Sequence, residues 1–490
     1  MTAQQLLAMS PLLIIGVGVV AVMLAIAIER HHGWSATIAI VSLSLALLPL
    51  FAHFWLPGLF TLPLPQAVTP LLRIDAYACF YMALILISAL ATATLSHAYM
   101  KGYQGNREEL YLLLLLSALG GLVIVASSHF AAFFLGLELL SVPMYAMAGY
   151  LVKERRSLEA GIKYLVLSAV ASAFIVFGMA LVYSQTGTLL FSDVGASPAN
   201  VTDDARIVMI LGSSLLLIGI GFKLSLAPFH LWTPDVYEGA PAPVTSYLAT
   251  ASKVAVFALL LRYFVEARAY QYDALVDVLS VMALLSIVIG NVLALQQQDL
   301  KRLLAYSSIA HVGYMLVALI AAGPFATEAV GVYLLTYVVT TLAAFGVITL
   351  MSSPHKDHDA EALFDYRGLF WKHPYLAAIL TVALLSLAGI PLTAGFIGKF
   401  YVLGAGVDKH LWVLLATVVL GSATGLYYYL RAMVQLYLRP RWVAPFSAPL
   451  HWARGAGGGM LILLTLAMLM LGVYPALFIS LVHAAGLSGQ

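Results

Sequence analysis

Cysteine is all but missing from this sequence: Cys79 is the only one among 490 residues. That excludes disulfides within the chain, thiolate zinc sites and iron–sulfur clusters built from its own residues, so any redox centre that works with it sits on a partner. Charge is the second scarcity, at 9% of residues where a soluble domain usually carries roughly a quarter. The 24 basic and 22 acidic residues leave a net charge of +2, dispersed around loops. No basic stripe of the kind that tracks a phosphate backbone is present, which excludes nucleic acid as a partner. What fills the sequence is apolar: 62% of residues are hydrophobic and the mean hydropathy is +0.97. Apolar runs of about 17 to 25 residues recur from end to end, each long enough as a helix to cross a hydrocarbon core of roughly 30 Å. The lipid bilayer is therefore the main solvent, and no stretch is left over for a separate soluble domain.

The runs predict an all-α integral membrane protein, a single polytopic domain over 1–490 with about 14 transmembrane helices. They fall near 11–28, 34–55, 74–96, 109–126, 130–151, 160–184, 206–231, 242–265, 273–296, 300–321, 326–351, 375–402, 410–438 and 456–483. The first reads as a retained helix rather than a signal peptide, because no Lys or Arg precedes it and no small-residue cleavage pattern follows. Membrane strands are excluded, since the runs far exceed a barrel strand of roughly 10 residues and show no polar alternation. Short cytoplasmic loops are enriched in Lys and Arg. Loops on one side hold 14 basic residues, among them Arg30, Arg155, Arg156, Lys301, Arg302, Lys356 and Arg441; the other side holds five, Arg73, Arg206, Arg262, Arg268 and Lys409. Both termini fall on the poorer side, which places them away from the cytoplasm.

Five basic residues remain inside helices: Lys163, Lys223, Lys253, Lys399 and Arg431. Of the acids only Glu138 sits well inside a span; Asp75, Glu159 and Asp277 lie near helix ends. A charge at the bilayer centre costs about 2.5 to 3.5 kcal/mol on insertion scales, so such residues face the bundle interior and mark ion or proton paths. Burial disfavours the charged form of either type, which brings both toward the point where a proton is taken and released. Glu138 is roughly nine residues into its helix, about 13 Å at 1.5 Å per residue, which is near mid-membrane. Alone it is protonated and inert; a lysine beside it holds it ionised and is itself kept charged, so that moving either charge changes the other's proton affinity. The plainer reading of Glu138 with Lys223 is a static ion pair that fixes packing. Lys253 lies at similar depth among small neighbours, Ala249 to Ala255, that let water and other helices approach. Lys163 lies nearer the cytoplasmic end, where a relay role and a lysine snorkelling to the interface both fit, with Glu159 one turn before it. Arg431 reads as interfacial.

Two prolines interrupt spans beside these lysines. Pro228 removes the hydrogen bond to the Leu224 carbonyl, and Pro391 does the same to that of Leu387. Broken backbone at this depth is tolerated only inside protein or against water-filled space, so each break is a candidate water entry. The broken helices are the seventh and twelfth, each the fourth member of a five-helix block, 109–265 and 273–438. Five is odd, so the second block starts on the opposite face, which is the topology of an inverted repeat. The symmetry is imperfect: Lys223 precedes its proline by five residues and Lys399 follows its proline by eight. No acid in helix 10 matches Glu138; His311 lies there instead, and His230 lies beside the first break. A histidine titrates near neutrality and relays a proton, while a membrane histidine bonded to a carbonyl is the bland alternative for both.

The stretch from Lys223 to Pro243, with Pro228, His230, Trp232, Pro234, Asp235, Tyr237 and Glu238 in it, resembles the antiporter-like membrane subunits of respiratory complex I, which are similar to subunits of multi-subunit sodium/proton antiporters. Tyr306 to Tyr314 and Gly395 to Lys399 match further segments of that family, and Arg156 to Tyr164 with Phe364 to Phe370 look like one particular member. The resemblance implies that Glu138 and Lys223 are the carboxylate and lysine of a first half-channel, Lys253 the connecting lysine and Lys399 the terminal lysine of a second. It also implies neighbouring membrane subunits as partners. NADH, FMN, iron–sulfur clusters and quinone are handled in other subunits, with no cofactor, no metal and no bond-making chemistry in this chain. A sodium/proton antiporter subunit is the nearest alternative. A passive scaffold has little use for four mid-helix lysines and two proline breaks, and an organic-solute transporter calls for one central cavity rather than a lateral row Glu138, Lys223, Lys253, His311, Lys399.

Overall fold

The computed structural model describes residues 2–56, 61–195, 203–352, 359–439, 446–449 and 451–486; Lys356 and Arg441, counted above among loop charges, lie outside them. Among the described residues thirteen helices are long and apolar enough to cross a membrane, and a broken fourteenth accompanies them. In chain order the spans are α1 (Ser10–Ile28), α2 (His32–Trp55), α3 (Ala76–Met100), α4 (Glu109–Ala126), α5 (Phe130–Ala148), α6 (Arg155–Thr186) and α7 (Asp203–Lys223, continued by Trp232–Gly239). They continue with α8 (Ala242–Glu266), α9 (Asp273–Leu295), α10 (Leu300–Ala321), α11 (Pro324–Met351), α12 (Pro374–Ala388 and Ala394–Asp408), α13 (Trp412–Tyr437) and α14 (Ala456–Val473, followed by Ala476–Ala484). Each of the fourteen expected runs is one of these. A two-stranded hairpin, β1 (Gln66–Thr69) with β2 (Leu72–Ile74), joins α2 to α3.

Local chemistry sets the helix ends. The Asp75 carboxylate accepts from the Ala78 amide at the start of α3, and Asp299 accepts from the Arg302 amide at the start of α10, each satisfying an amide that the helix leaves orphaned. Gly187 and Gly389 close α6 and the first half of α12 in the left-handed conformation, which a Cβ disfavours. Burial then sorts the spans. α8 and α11 are enclosed on every side, with α10 and α3 nearly so, whereas α1, α2, α6, α13 and α14 turn long apolar faces outward. Without water such faces need lipid or another membrane subunit against them. The polar side chains gather where α5 to α8 and α10 to α13 meet the enclosed spans.

Both expected breaks are present. In α7 regular helix stops at Lys223 and resumes at Trp232; Ser225 takes a positive φ of 64°, and the freed amide of Ala227 donates to the Ser286 hydroxyl at 2.9 Å. In α12 helix stops at Ala388 and resumes at Ala394, with the Gly395 amide donating to the Ser386 hydroxyl at 2.9 Å. A serine thus satisfies a freed backbone donor at each break, as mid-membrane backbone requires.

Candidate functional site

The centre of the first half is built from α5, α6 and α7. Lys223 ends the first half of α7 and is buried, and its ammonium donates to Ser141 on α5 at 2.8 Å and to Ser168 on α6 at 2.6 Å. Glu138, one turn before Ser141, accepts from Ser172 at 2.6 Å, one turn after Ser168. The two charges are therefore linked through hydroxyls and not in direct contact, unlike the simple ion pair expected from their types. Tyr145 completes the cluster, its hydroxyl 2.6 Å from that of Ser168 and its ring 5.9 Å from the ammonium. Glu138 is only half-buried, between the exposed Leu135 and Val142, so the face that carries it needs a protein neighbour rather than hydrocarbon.

Lys253 reaches back to the first break. Its ammonium lies 3.5 Å from the Leu224 carbonyl, the group that Pro228 was expected to free, and 6.0 Å from the Tyr237 ring. Lys399 does the equivalent at the second break, donating to the Ala388 carbonyl at 2.8 Å beneath the Tyr314 ring. The expected acceptor was freed at Leu387. The shift of one residue follows from Gly389, whose amide closes the helix end on Leu385 and Ser386 and leaves the Ala388 oxygen to the lysine. Each lysine thus caps the C-terminal end of a half-helix, where the macrodipole is negative and favours a cation. Position 389 favours glycine by its φ of 83°, and a Cβ there would also push on the Lys399 side chain, 2.8 Å away.

Between them lies a cluster of hydroxyls around His311, with Lys253 and Lys399 near enough to act on it electrostatically. Its ring nitrogens contact the Tyr333 hydroxyl at 2.7 Å and the Tyr429 hydroxyl at 3.2 Å. Tyr429 also bonds Ser307, Ser308 pairs with Tyr337 at 2.7 Å, and Asn291 ties Tyr314 to Tyr428 at 2.9 and 3.1 Å. His230 is buried in the first break, with no hydrogen-bond partner for its Nδ1 among the described residues, and no contact with Lys223, Lys253 or Lys399 is found there. Arg431 donates to the Leu295 and Gln297 carbonyls at 2.7 and 2.6 Å and so caps α9.

Lys163 and Glu159 sit at the basic-rich end. Lys163 bridges Glu159 at 2.7 Å and Asp235 at 2.8 Å; Arg302 joins Asp235 to Glu238, and Arg156 joins Glu238 to Glu361. All of these but Glu361 line a polar cavity of about 250 Å³. Carboxylate oxygens of Glu238, Asp299 and Glu361 lie within 4.8 Å of one another beside it. Burial, then the charges of Glu361 and Glu238, push the Asp299 carboxyl up to about 7 from 3.8. The folded chain therefore binds more protons than the unfolded chain between those two values, and its stability falls as pH rises through that window. Asp299→Asn keeps a capping oxygen and removes the charge. The expected outcome is a thermal midpoint of the assembled complex that no longer declines between about pH 5 and 7, read by the temperature at which the subunit is lost on native gels.

Two charges counted above as loop residues are buried instead. Lys301 donates to the Ala240 carbonyl at 2.8 Å and to Asp359 at 2.9 Å, and that carboxylate also accepts from Tyr99 and from the Ala242 amide. Arg262, in α8 on the opposite side, is fully enclosed: it holds Asp75 through two bonds of 2.8 and 2.9 Å, approaches Glu266 at 3.4 Å and lies 4.7 Å from the Tyr77 ring. Arg73 closes the group onto Asp75 and Glu266. An end-of-span position looks the same in sequence whether it faces water or protein; the available signal for Arg262 was Glu266, four residues on along the same helix face.

Fourteen spans, two broken ones and a set of buried lysines on broken-helix ends define an antiporter-like membrane subunit. Comparison with known proteins narrows this. A family model described as NADH:quinone oxidoreductase/Mrp antiporter, TM, matches residues 127–425. NADH-quinone oxidoreductase subunit N of Ectopseudomonas mendocina (strain ymp) is 56% identical over 491 aligned positions, covering 99% of this chain and 97% of that one. The chain belongs to the NADH-quinone oxidoreductase subunit N family. Its fold matches a chain of respiratory complex I from Thermus thermophilus with bound aureothin, at 35% identity and a TM-score of 0.82, over 97% of this chain and 100% of that one. The membrane-bound sulfane sulfur reductase, an archaeal respiratory membrane complex (23% identity, TM-score 0.84, 98% of this chain and 97% of the other), shares the fold. So does the Mrp complex of Dietzia sp. DQ12-45-1b (19%, TM-score 0.83, 99% and 97%).

Proposed function

We propose that this chain carries protons for an NADH:quinone oxidoreductase through Glu138, Lys223, Lys253 and Lys399, with electron transfer confined to other subunits. The observation that carries the reading is the arrangement of the three lysines, each buried away from lipid and each held by hydroxyls or a broken-helix carbonyl rather than by a permanent counter-ion. A proton leaving Lys253 or Lys399 strands no partner charge, and one leaving Lys223 has Glu138 close by to receive it, which suits groups that are repeatedly loaded and emptied. Two inverted halves, 109–265 and 273–438, each contribute one break, and His311 with its tyrosines lies between the central and terminal lysines as a relay. Lys163 and Glu159, in the polar cavity at the basic-rich end, are the loading side. That end faces the cytoplasm, with both termini on the far side of the cell inner membrane. NADH, FMN, iron–sulfur clusters and quinone belong to partner subunits, and Cys79, buried and alone, fits that division. The half-exposed Glu138 face is where a neighbouring membrane subunit packs.

Glu138→Gln tests this with almost no change of shape. In membranes with matched amounts of assembled complex, quinone-dependent NADH oxidation and proton pumping are expected to fall together by about a hundredfold, the lower end of the scale for loss of a proton-transfer group. Normal values of both, with loss of sodium tolerance in the cell, would instead identify a sodium/proton antiporter subunit.

A further inference from the structure

Lys223 and Glu138 need a connection if a proton is to pass between them, and α6 supplies one. Ser168 and Ser172 stand one turn apart on one face of that helix, because residues four apart along a helix lie above one another. Ser168 accepts from the Lys223 ammonium and Ser172 donates to the Glu138 carboxylate, both at 2.6 Å and both buried. Glu138 and Ser141 are similarly three residues apart on α5, so Ser141 backs the lysine while the carboxylate faces Ser172. Tyr145 fixes the Ser168 hydroxyl from the other side at 2.6 Å. A serine that only solvated an ion would need one such contact. Here the two end contacts have opposite sense, an N–H entering the serine pair at Ser168 and an O–H leaving it at Ser172, which is the polarity of a path from the ammonium to the carboxylate.

We propose that Ser168 and Ser172 of α6 form the proton bridge between Lys223 and Glu138. This rests on the proposal that those two residues carry protons. The turn between the serines spans roughly 6 Å, a gap that one water molecule bridges. In the transfer the ammonium loses a proton and becomes a neutral amine. Ser168 accepts it as its own proton moves on to the water, the water passes one to Ser172, and Ser172 delivers its hydroxyl proton to the carboxylate, which becomes a carboxylic acid. Serines and water end unchanged, and one charge of each sign disappears.

The test uses intact complex in membranes, with Ser172→Ala, Ser168→Ala, their threonine counterparts and Glu138→Gln compared at matched assembly. Each alanine variant is expected to slow pumping and NADH oxidation about a hundredfold. Each should also show a larger solvent deuterium isotope effect, and Ser172→Thr and Ser168→Thr, which keep the hydroxyl, should restore both readouts. A merely packing role would leave the isotope effect unmoved. If the alanine variants run at wild-type rates while Glu138→Gln is impaired, the bridge is wrong and the role of Glu138 stands. If Glu138→Gln is also unimpaired, the underlying reading fails, and the bridge with it.

Discussion

Membranes carrying Lys223→Ala, at an assembled-complex level equal to wild type, are expected to lose quinone-dependent NADH oxidation and proton pumping together, each by about a hundredfold or more, the lower end of what loss of a proton-transfer group does. The reason is local. Lys223 donates to both Ser141 and Ser168, and its charge acts on Glu138. Without the lysine Ser141 and Ser168 lose this donor, and the cluster loses the group that exchanges a proton with Glu138 under the proposed function. Lys223→Arg sharpens the point: guanidinium keeps the charge and the hydrogen bonds but does not release a proton in a protein. It should assemble normally and be nearly as inactive. A Lys223→Arg enzyme with full pumping would show that the position needs charge and not proton exchange.

Arg262→Ala is expected to remove the subunit from the complex altogether. Its guanidinium is enclosed, bonded twice to Asp75 and close to Glu266, and it joins the start of α3 to the end of α8. Removing one partner of a buried ion pair typically costs about 3 to 5 kcal/mol, and here it leaves two carboxylates, Asp75 and Glu266, to share the partly exposed Arg73. Such a cost is a large part of the stability of an ordinary domain. Native gels of solubilised membranes should show subcomplexes lacking this chain. Arg262→Lys, which cannot make the paired contact to Asp75, should recover assembly only in part. Normal assembly of Arg262→Ala would mean that the group is solvated in the complex.

The spans were legible because hydrocarbon thickness imposes a length on apolar runs, and the breaks because proline has no amide hydrogen to give. The lysines were legible as residues out of place in lipid. What each lysine touches was not. Ser141 and Ser168 lie 82 and 55 residues from Lys223, and which face of which span meets which is decided by packing among helices that all look alike in hydropathy. Lys253 shows the limit well: the freed Leu224 carbonyl was foreseeable from Pro228, but not that a lysine 29 residues on would take it. Lys301 and Arg262 were misplaced for a related reason, since a charge at the end of a run carries no mark of whether water or protein covers it. Asp235, Glu238 and Arg302, which complete the polar cavity with Lys163, are unremarkable loop charges until the fold brings them together.

The half-helix ends give the central and terminal lysines a property that the first lacks. A backbone carbonyl does not titrate, so the contacts of Lys253 with Leu224 and of Lys399 with Ala388 cannot be cancelled by a change in the partner's own protonation. Each answers to two things only: the charges elsewhere in the row, and how far its half-helix end stands from it. On the proposed proton path the Glu138 and Lys223 cluster would work as a chemical latch, because the lysine's partner is itself a titratable group. On the same path the two breaks would work as gauges, turning any displacement of backbone into a change in how tightly a proton is held.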